Sequence, residues 1–208
     1  MNSTREAILD GAFQVMREKG LARTTTKEIA RASGCSEPLL YRHFEDKIGL
    51  FLAVLAERLP PVGVLGGGGA GLIGHGTLEG NLRLVAAEVT TFYLTVLPIG
   101  MSIFSDNELL ARHRDAVQSH GTGPEDISNG VRNYLAEEQA AGRIREDAPL
   151  GGVAMALTGA AMHRAFLWSF HAGAGDAPPT QERIRDFAAE VVAGVVRSLW
   201  TLPQIEGD

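Results

Sequence analysis

A single cysteine, Cys35, stands in the whole chain, so an intramolecular disulfide and a cysteine-rich zinc site are both excluded. No uninterrupted apolar run reaches about eighteen residues, and the first ten residues carry Arg5, Glu6 and Asp10 where a signal segment would be basic and then apolar. No membrane partner is read, and a cytoplasmic location is expected. The strand signal of strict apolar–polar alternation joined by Asn-Gly or Asp-Gly turns is missing, as is any fixed-period repeat, which argues against sheet and solenoid architectures. An excess of basic charge is also lacking, since the formal net charge is −6. That deficit is unevenly spread: residues 1–50 hold eight Lys/Arg against seven Asp/Glu, and the remainder holds eleven against eighteen. The acidity therefore lies outside the first module and does not argue against a nucleic-acid partner there.

The chain has the composition of a globular protein, 45% hydrophobic and 21% charged, and its wealth of Ala, Leu, Arg and Glu favours helix. From Ser3 to Lys19, Ile8, Leu9, Ala12, Phe13, Val15 and Met16 recur at three- and four-residue intervals, and Gly20 supplies the stop. The hydroxyl run Thr24-Thr25-Thr26 precedes a short helix from Lys27 to Ser33, and Gly34 permits a tight turn. Ser36 is placed to cap a third helix of about two turns, with Pro38 in its first turn and Leu40 and Phe44 four apart. Asp46 caps a fourth, connecting helix over 47–59 that must end before Pro60-Pro61. The glycine-rich stretch 62–76 reads as a flexible loop. Apolar periodicity then predicts helices over 77–97, 107–118, 124–141, 149–171 and 180–202. The expected fold is all-α: a three-helix helix-turn-helix domain over 1–46 and a helical effector-binding and dimerisation domain over 47–208.

Two short helices around a glycine turn, the second opened by a hydroxyl residue and followed by aromatic and basic side chains, is the pattern by which helix-turn-helix proteins read DNA. The strings Thr25-Thr26-Lys27-Glu28-Ile29-Ala30, Gly34-Cys35-Ser36 and Leu40-Tyr41-Arg42-His43-Phe44 with Lys47 resemble the signature of the TetR family of transcriptional regulators. The resemblance is tight over residues 5–55 and beyond them consists of helix number and order. It implies that Thr25, Thr26, Tyr41, His43 and Lys47 contact phosphates, with Ser36 at the start of the reading helix, because hydroxyl, imidazole, ammonium and helix-start amide groups all donate to phosphate oxygens. It further implies that Lys27, Glu37, Leu39 and Arg42 face base edges. Leu39 and Cys35 depart from the residues more usual in the family, which leaves the motif whole and the preferred sequence unreadable. Phe44, Ile29 and Leu40 are read as core.

In the carboxy-terminal region, 180–202 places Ile184, Phe187, Ala188, Val191, Val192, Val195, Val196 and Leu199 on one broad face. The segment 151–170 mixes small residues with Leu157, Phe166, Leu167 and Trp168. Two such helices per subunit suit a four-helix homodimer interface, which in a TetR-like arrangement sets two reading helices about 34–36 Å apart on a palindrome of double-stranded DNA. Thr91, Phe92, Thr95, Met101 and Phe104, together with Tyr134, Met155, Met162 and Phe166, are the candidate lining of a mostly apolar effector cavity. The resemblance implies a repressor, released when a small-molecule effector favours one spacing of the two reading heads.

An architectural DNA-binding protein without an effector is the alternative, and an enzyme is a third. His113, His120, His163, His171 and the pair Glu137-Glu138 have no recognised catalytic or metal-ligand spacing. Gly66, Gly68 and Gly71 match a dinucleotide-type spacing, but no strand precedes them and no phosphate-loop lysine follows. No cofactor, metal or catalytic residue is therefore assigned. Replacing Arg42 by Ala is expected to cost on the order of 1–3 kcal/mol on the best DNA site and to relax selectivity there. Titration of both proteins against matched and mismatched duplexes checks this; unchanged affinity and selectivity would remove Arg42 from the reading set.

Overall fold

A computed structural model describes residues 3–59, 71–119, 121, 123–173 and 176–199, and among them there is helix and turn but no strand. The helices are α1 (Ser3–Lys19), α2 (Thr26–Ala32), α3 (Glu37–Tyr41), α4 (Lys47–Arg58), α5 (Leu78–Gly100), α6 (Asn107–Ser119), α7 (Asp126–Ala140), α8 (Leu150–His171) and α9 (Gln181–Val195). Residues 62–70 of the expected glycine-rich loop, His120, and 200–202 of the last expected helix lie outside the described residues. The third helix is shorter than expected, a single turn and a half closed by Arg42, because the chain must turn again to reach the Asp46 cap.

Two compact units divide the chain, Met1–Pro60 with Leu94–Gly123, and Pro61–Tyr93 with Pro124–Asp208. The boundary expected after residue 46 is thereby corrected. Ile48, Leu50, Phe51 and Val54 of α4 are buried in the same cluster as Ile8, Leu9, Met16, Ile29 and Leu40. The two short helices α2 and α3 cannot cover the apolar side of α1 by themselves, so α4 and the segment carrying Ile99, Ile103 and Leu109 complete the first core. Gly11 shows how closely α1 and α2 approach, since a Cβ at that position would lie 2.4 Å from Ser33 Oγ.

The second unit is built on Leu82, Val85 and Val89 of α5, Val131 and Leu135 of α7, Val153, Ala154, Leu157 and Ala161 of α8, and Phe187, Ala188 and Val192 of α9. Helices α5, with the turn that follows it, and α8 have the length and mean hydropathy of membrane-crossing helices, and a third of each such stretch, 33%, is buried. Leu82, Val85 and Val89 of the first stretch and Val153, Leu157 and Ala161 of the second help to build this core, while Ile99 and Ile103 of the first stretch belong to the other.

The second core also holds one fully buried carboxylate, Glu138 on α7. It accepts hydrogen bonds from Tyr134 Oη at 2.7 Å and from the Gly74 amide at 3.3 Å. Arg143 pairs with it at 3.3 Å and donates onward to the carbonyls of His75 and Gly76. Asn81 donates to the carbonyls of Leu72 and His75, so residues 72–76 are tied to α5 and α7 by polar bonds as well as by the packing of Leu72 and Ile73 against the core. Removing one partner of a buried pair leaves the other charge uncompensated. Arg143→Ala is expected to destabilise the second unit by roughly 3 kcal/mol, and Glu138→Gln, which keeps one acceptor oxygen for the Gly74 amide and turns an NH2 to the Tyr134 hydroxyl oxygen, by less. Urea unfolding of the two variants checks the order; equal or negligible losses would contradict it.

Candidate nucleic-acid interface

Helix α2 starts on a complete capping box. Thr25 Oγ1 accepts from the Glu28 amide at 3.3 Å while the Glu28 carboxylate accepts from the Thr25 amide at 3.2 Å. Lys19 reaches across from the end of α1 to the same carboxylate. These bonds, that from Lys19 first and those from Thr25 next, hold the Glu28 carboxyl at about 2, against an ordinary 4.5. After α2 the chain turns through Gly34 at φ +64°, and the Cys35 amide donates back to the Ala30 carbonyl at 2.9 Å. The left-handed conformation is what the turn needs of glycine.

Ser36 stands at the N-cap of α3 with extended backbone, but its hydroxyl makes no capping bond. Leu40 buries inward. The Thr26 hydroxyl donates to Glu37 and lies 3.3 Å from the Tyr41 hydroxyl, so a polar triad fixes the start of α2 against α3. Thr25, Lys27, Ser36, Tyr41, Arg42 and His43 are exposed, whereas Thr26, Glu37 and Leu39 are half-buried. Tyr41 keeps 50% of its surface accessible. Among the described residues Lys27 and Arg42 form no ion pair, which leaves both cations available to a polyanion. Exposed Arg23 and Arg31 flank the same two helices. Sequence reasoning passed over them because neither falls on a motif position; their position at either end of α2 was the available signal.

Lys47 differs from its expected placement. Its ammonium, half-buried, donates to the carbonyls of Leu21 at 3.0 Å, Thr24 at 3.1 Å and Ala22 at 3.5 Å. Burial pushes its pKa down from the usual lysine value, with Asp106 opposing and Arg112 adding to the shift. All three ammonium protons therefore point at protein carbonyls.

The nine expected effector-lining residues fall in both units. Thr95, Met101 and Phe104 belong to the first unit, and the other six to the second. Tyr134 is a core residue bonded to Glu138, while Phe104 is 70% exposed and Met101 45%. Met155, Met162 and Phe166 are exposed on one side of α8 with Phe170. Helical periodicity groups residues by face, and it cannot tell a face turned to a cavity from one turned to solvent. Among the described residues an open groove of about 270 Å³ lies between α8 and α9, lined by Arg164, Trp168, Arg183, Asp186, Phe187 and Glu190, and none of the nine contributes to it. The broad apolar face of α9 is also largely spent inside the unit, since Ile184, Phe187, Ala188, Val192 and Leu199 are buried. His113 packs its ring against Phe51, and no group of three metal-binding side chains converges among the described residues.

Residues 8–54 match the model of bacterial regulatory proteins of the tetR family. Over 58 residues the chain is 44% identical to YvkB, an uncharacterised HTH-type transcriptional regulator of Bacillus subtilis, covering 28% of this chain and 31% of that protein. It is equally 44% identical over 58 residues to the HTH-type transcriptional repressor BepR of Brucella suis, covering 28% of each. The chain thus matches about a third or less of the length of these relatives. Salmonella enterica GusR has the same fold at a TM-score of 0.67 and 23% identity, covering 94% of this chain and 95% of that one. So does FadR of Bacillus subtilis, solved in complex with stearoyl-CoA, at 0.64 and 15% identity over 94% of this chain and all (100%) of that one.

The depressed Glu28 pKa contributes stability that is fully present above the unfolded value of 4.5 and is lost as pH falls toward about 2. The stability gap between the wild type and Glu28→Gln is expected to hold steady above pH 4.5 and to close as pH falls toward 2. Urea unfolding followed across that range checks it, and a gap independent of pH would contradict it.

Proposed function

We propose, from the match of residues 8–54 to the tetR family of bacterial regulatory proteins and the likeness to its regulators over the same region, that this chain is a TetR-family protein, a dimeric, sequence-specific transcriptional repressor whose first unit reads DNA. The observation that carries the reading is the exposed set Lys27, Tyr41, Arg42 and His43 around a turn already fixed by the Thr25–Glu28 capping box and the Thr26–Glu37–Tyr41 triad. Phosphate donors held on a rigid frame set register, and the side chains of α2 and α3 beside them reach base edges. In such a regulator Thr25, Thr26, Ser36, Tyr41 and His43 position the duplex, while Lys27, Glu37, Leu39 and Arg42 set sequence preference. It works where the bacterial chromosome lies, in the cytoplasm.

The dimer forms through α8, with α9 beside it. Met155 is 64% exposed, Met162 45%, Phe166 40% and Phe170 70%, all on one helix, and Phe166 stacks on Phe170 with ring centroids 5.9 Å apart. An apolar stripe of this kind is unusual on a monomer and suits an isologous contact. Exposed Gly151, Ala156 and Gly159 on the same helix let a partner helix approach closely. A small, mostly apolar effector bound in the second unit releases the dimer from its operator; the stearoyl-CoA held by FadR, a protein of the same fold, supports an effector of that kind.

Selection of bound fragments from random duplex DNA at near-physiological salt tests the proposal. The expected outcome is one palindrome with half-sites about one helical turn apart. Met155→Glu with Met162→Glu is expected to give a folded monomer by light scattering whose affinity for the palindrome falls by more than about tenfold. No enriched sequence, or a wild-type monomer at micromolar concentration, would overturn the corresponding half of the proposal.

A further inference from the structure

The corner between α1 and α2 is a place where backbone polarity converges. Gly20, at φ +74°, turns the chain out of α1, and the carbonyls of Leu21, Ala22 and Thr24 all aim at one point. Lys47, the first residue of α4, places its ammonium there. On the other side of the corner, the Leu21 amide donates to the Ile99 carbonyl at 3.1 Å and the Ala22 amide to Ser102 Oγ at 3.1 Å. The next residue, Thr25, is the cap of α2 and stands in the proposed interface.

Helix α4 is held at its far end as well. Arg58 bonds Asp10 at 2.7 Å and also pairs with Glu6, while Arg5 pairs with Glu57. Asp46, the cap of α4, pairs with Arg112 of α6. Those outer pairs are exposed and individually weak. The Lys47 contact is different in kind: one half-buried cation serves three acceptors at the root of α2, and charged hydrogen bonds in such a setting are the strong ones.

We infer that Lys47 is a positioning residue, not a phosphate ligand: its ammonium clamps the α1–α2 corner to the start of α4 and so sets where Thr25 and Thr26 stand on the DNA backbone. The inference rests on the reading of the first unit as DNA-binding. A cation already surrounded by three carbonyls adds little to counterion release, whereas a cation seated on a phosphate adds a full increment. The two roles therefore separate in the salt dependence of binding.

Lys47→Met removes the donors and keeps an unbranched stem; Lys47→Gln, with two donors on a shorter stem, is the second variant should the first fold poorly. Binding to the duplex selected by the wild type is measured over a range of salt, at a temperature where circular dichroism shows each variant folded. The clamp predicts an affinity loss of at least about tenfold with the slope of log K against log salt unchanged. It also predicts faster hydrogen exchange at the Thr24 and Ile29 amides, which bond to the Leu21 and Thr25 carbonyls. A slope reduced by about 0.9, or affinity and exchange both unchanged, overturns the inference. A role in stability alone, which also overturns it, would lower the unfolding midpoint while leaving affinity of the folded variant intact. Should the wild type select no duplex, the DNA-binding reading fails, and the exchange measurement still decides whether the clamp exists.

Discussion

The first unit depends on how the chain leaves α1. A corner of five residues, 21–25, must bring α2 back across α1 closely enough that Gly11 faces Ser33, and such a corner leaves carbonyls that no helix can satisfy. Buried backbone acceptors without partners are costly. Here they converge on the Lys47 ammonium, while the amides of the same corner go to Ile99 and Ser102. The groups that close the corner thus come from α4 and from the segment 99–102, both far along the chain. This is why the helix-turn-helix does not end where its motif ends, and why its folding unit includes Leu94–Gly123.

With the corner closed, the rest of the surface is arranged at short range. The capping box starts α2, Gly34 turns the chain, and the Thr26–Glu37–Tyr41 triad sets the angle between α2 and α3. Each of these uses side chains within eleven or fifteen positions of each other, and each leaves the neighbouring cations, Lys27 and Arg42, unengaged. The result is a bonded frame with exposed charges at its edge that form no ion pair among the described residues, which suits recognition of a polyanion because little ordering entropy remains to be lost by the backbone on binding. Glu37 illustrates the compromise within this frame. As the acceptor for Thr26 it is committed to the α2–α3 angle, so any contact it makes with a base is restricted to its second carboxylate oxygen.

Local chemistry was legible in the sequence, and long-range chemistry was not. Helix α1 falls on Ser3–Lys19 as periodicity and Gly20 dictate, Ser36 and Asp46 occupy the cap positions assigned to them, and the cap of α2 falls on Thr25 within the hydroxyl run. The all-helical class follows from the same signals. Lys47 escaped because its partners lie 23–26 positions away and are carbonyls, which have no identity in a sequence. The effector lining was less legible for a related reason: Met155, Met162 and Phe166 share a helical face, yet a face is read the same way whether it meets a core, a cavity or solvent. Tyr134 went the other way, since its ring reads as lining while its hydroxyl is committed to Glu138 in the core.

The two units solve burial differently, and the contrast bears on how a signal passes along such a chain. In the first, α4 is fixed to α1 at both ends, by Lys47 at its start and by Glu57 and Arg58 at its finish. A helix so anchored moves with the DNA-reading residues as one body. In the second, residues 72–76 hang from Glu138, Asn81 and Arg143 by hydrogen bonds, and α8 leaves an apolar stripe open. Bonds of that polar kind are short-ranged and switch between discrete partners, whereas packed apolar faces resist small shifts. In the regulator proposed above the effector acts on the second unit, and only one that binds two arrangements of that unit with different affinity can shift the balance between them.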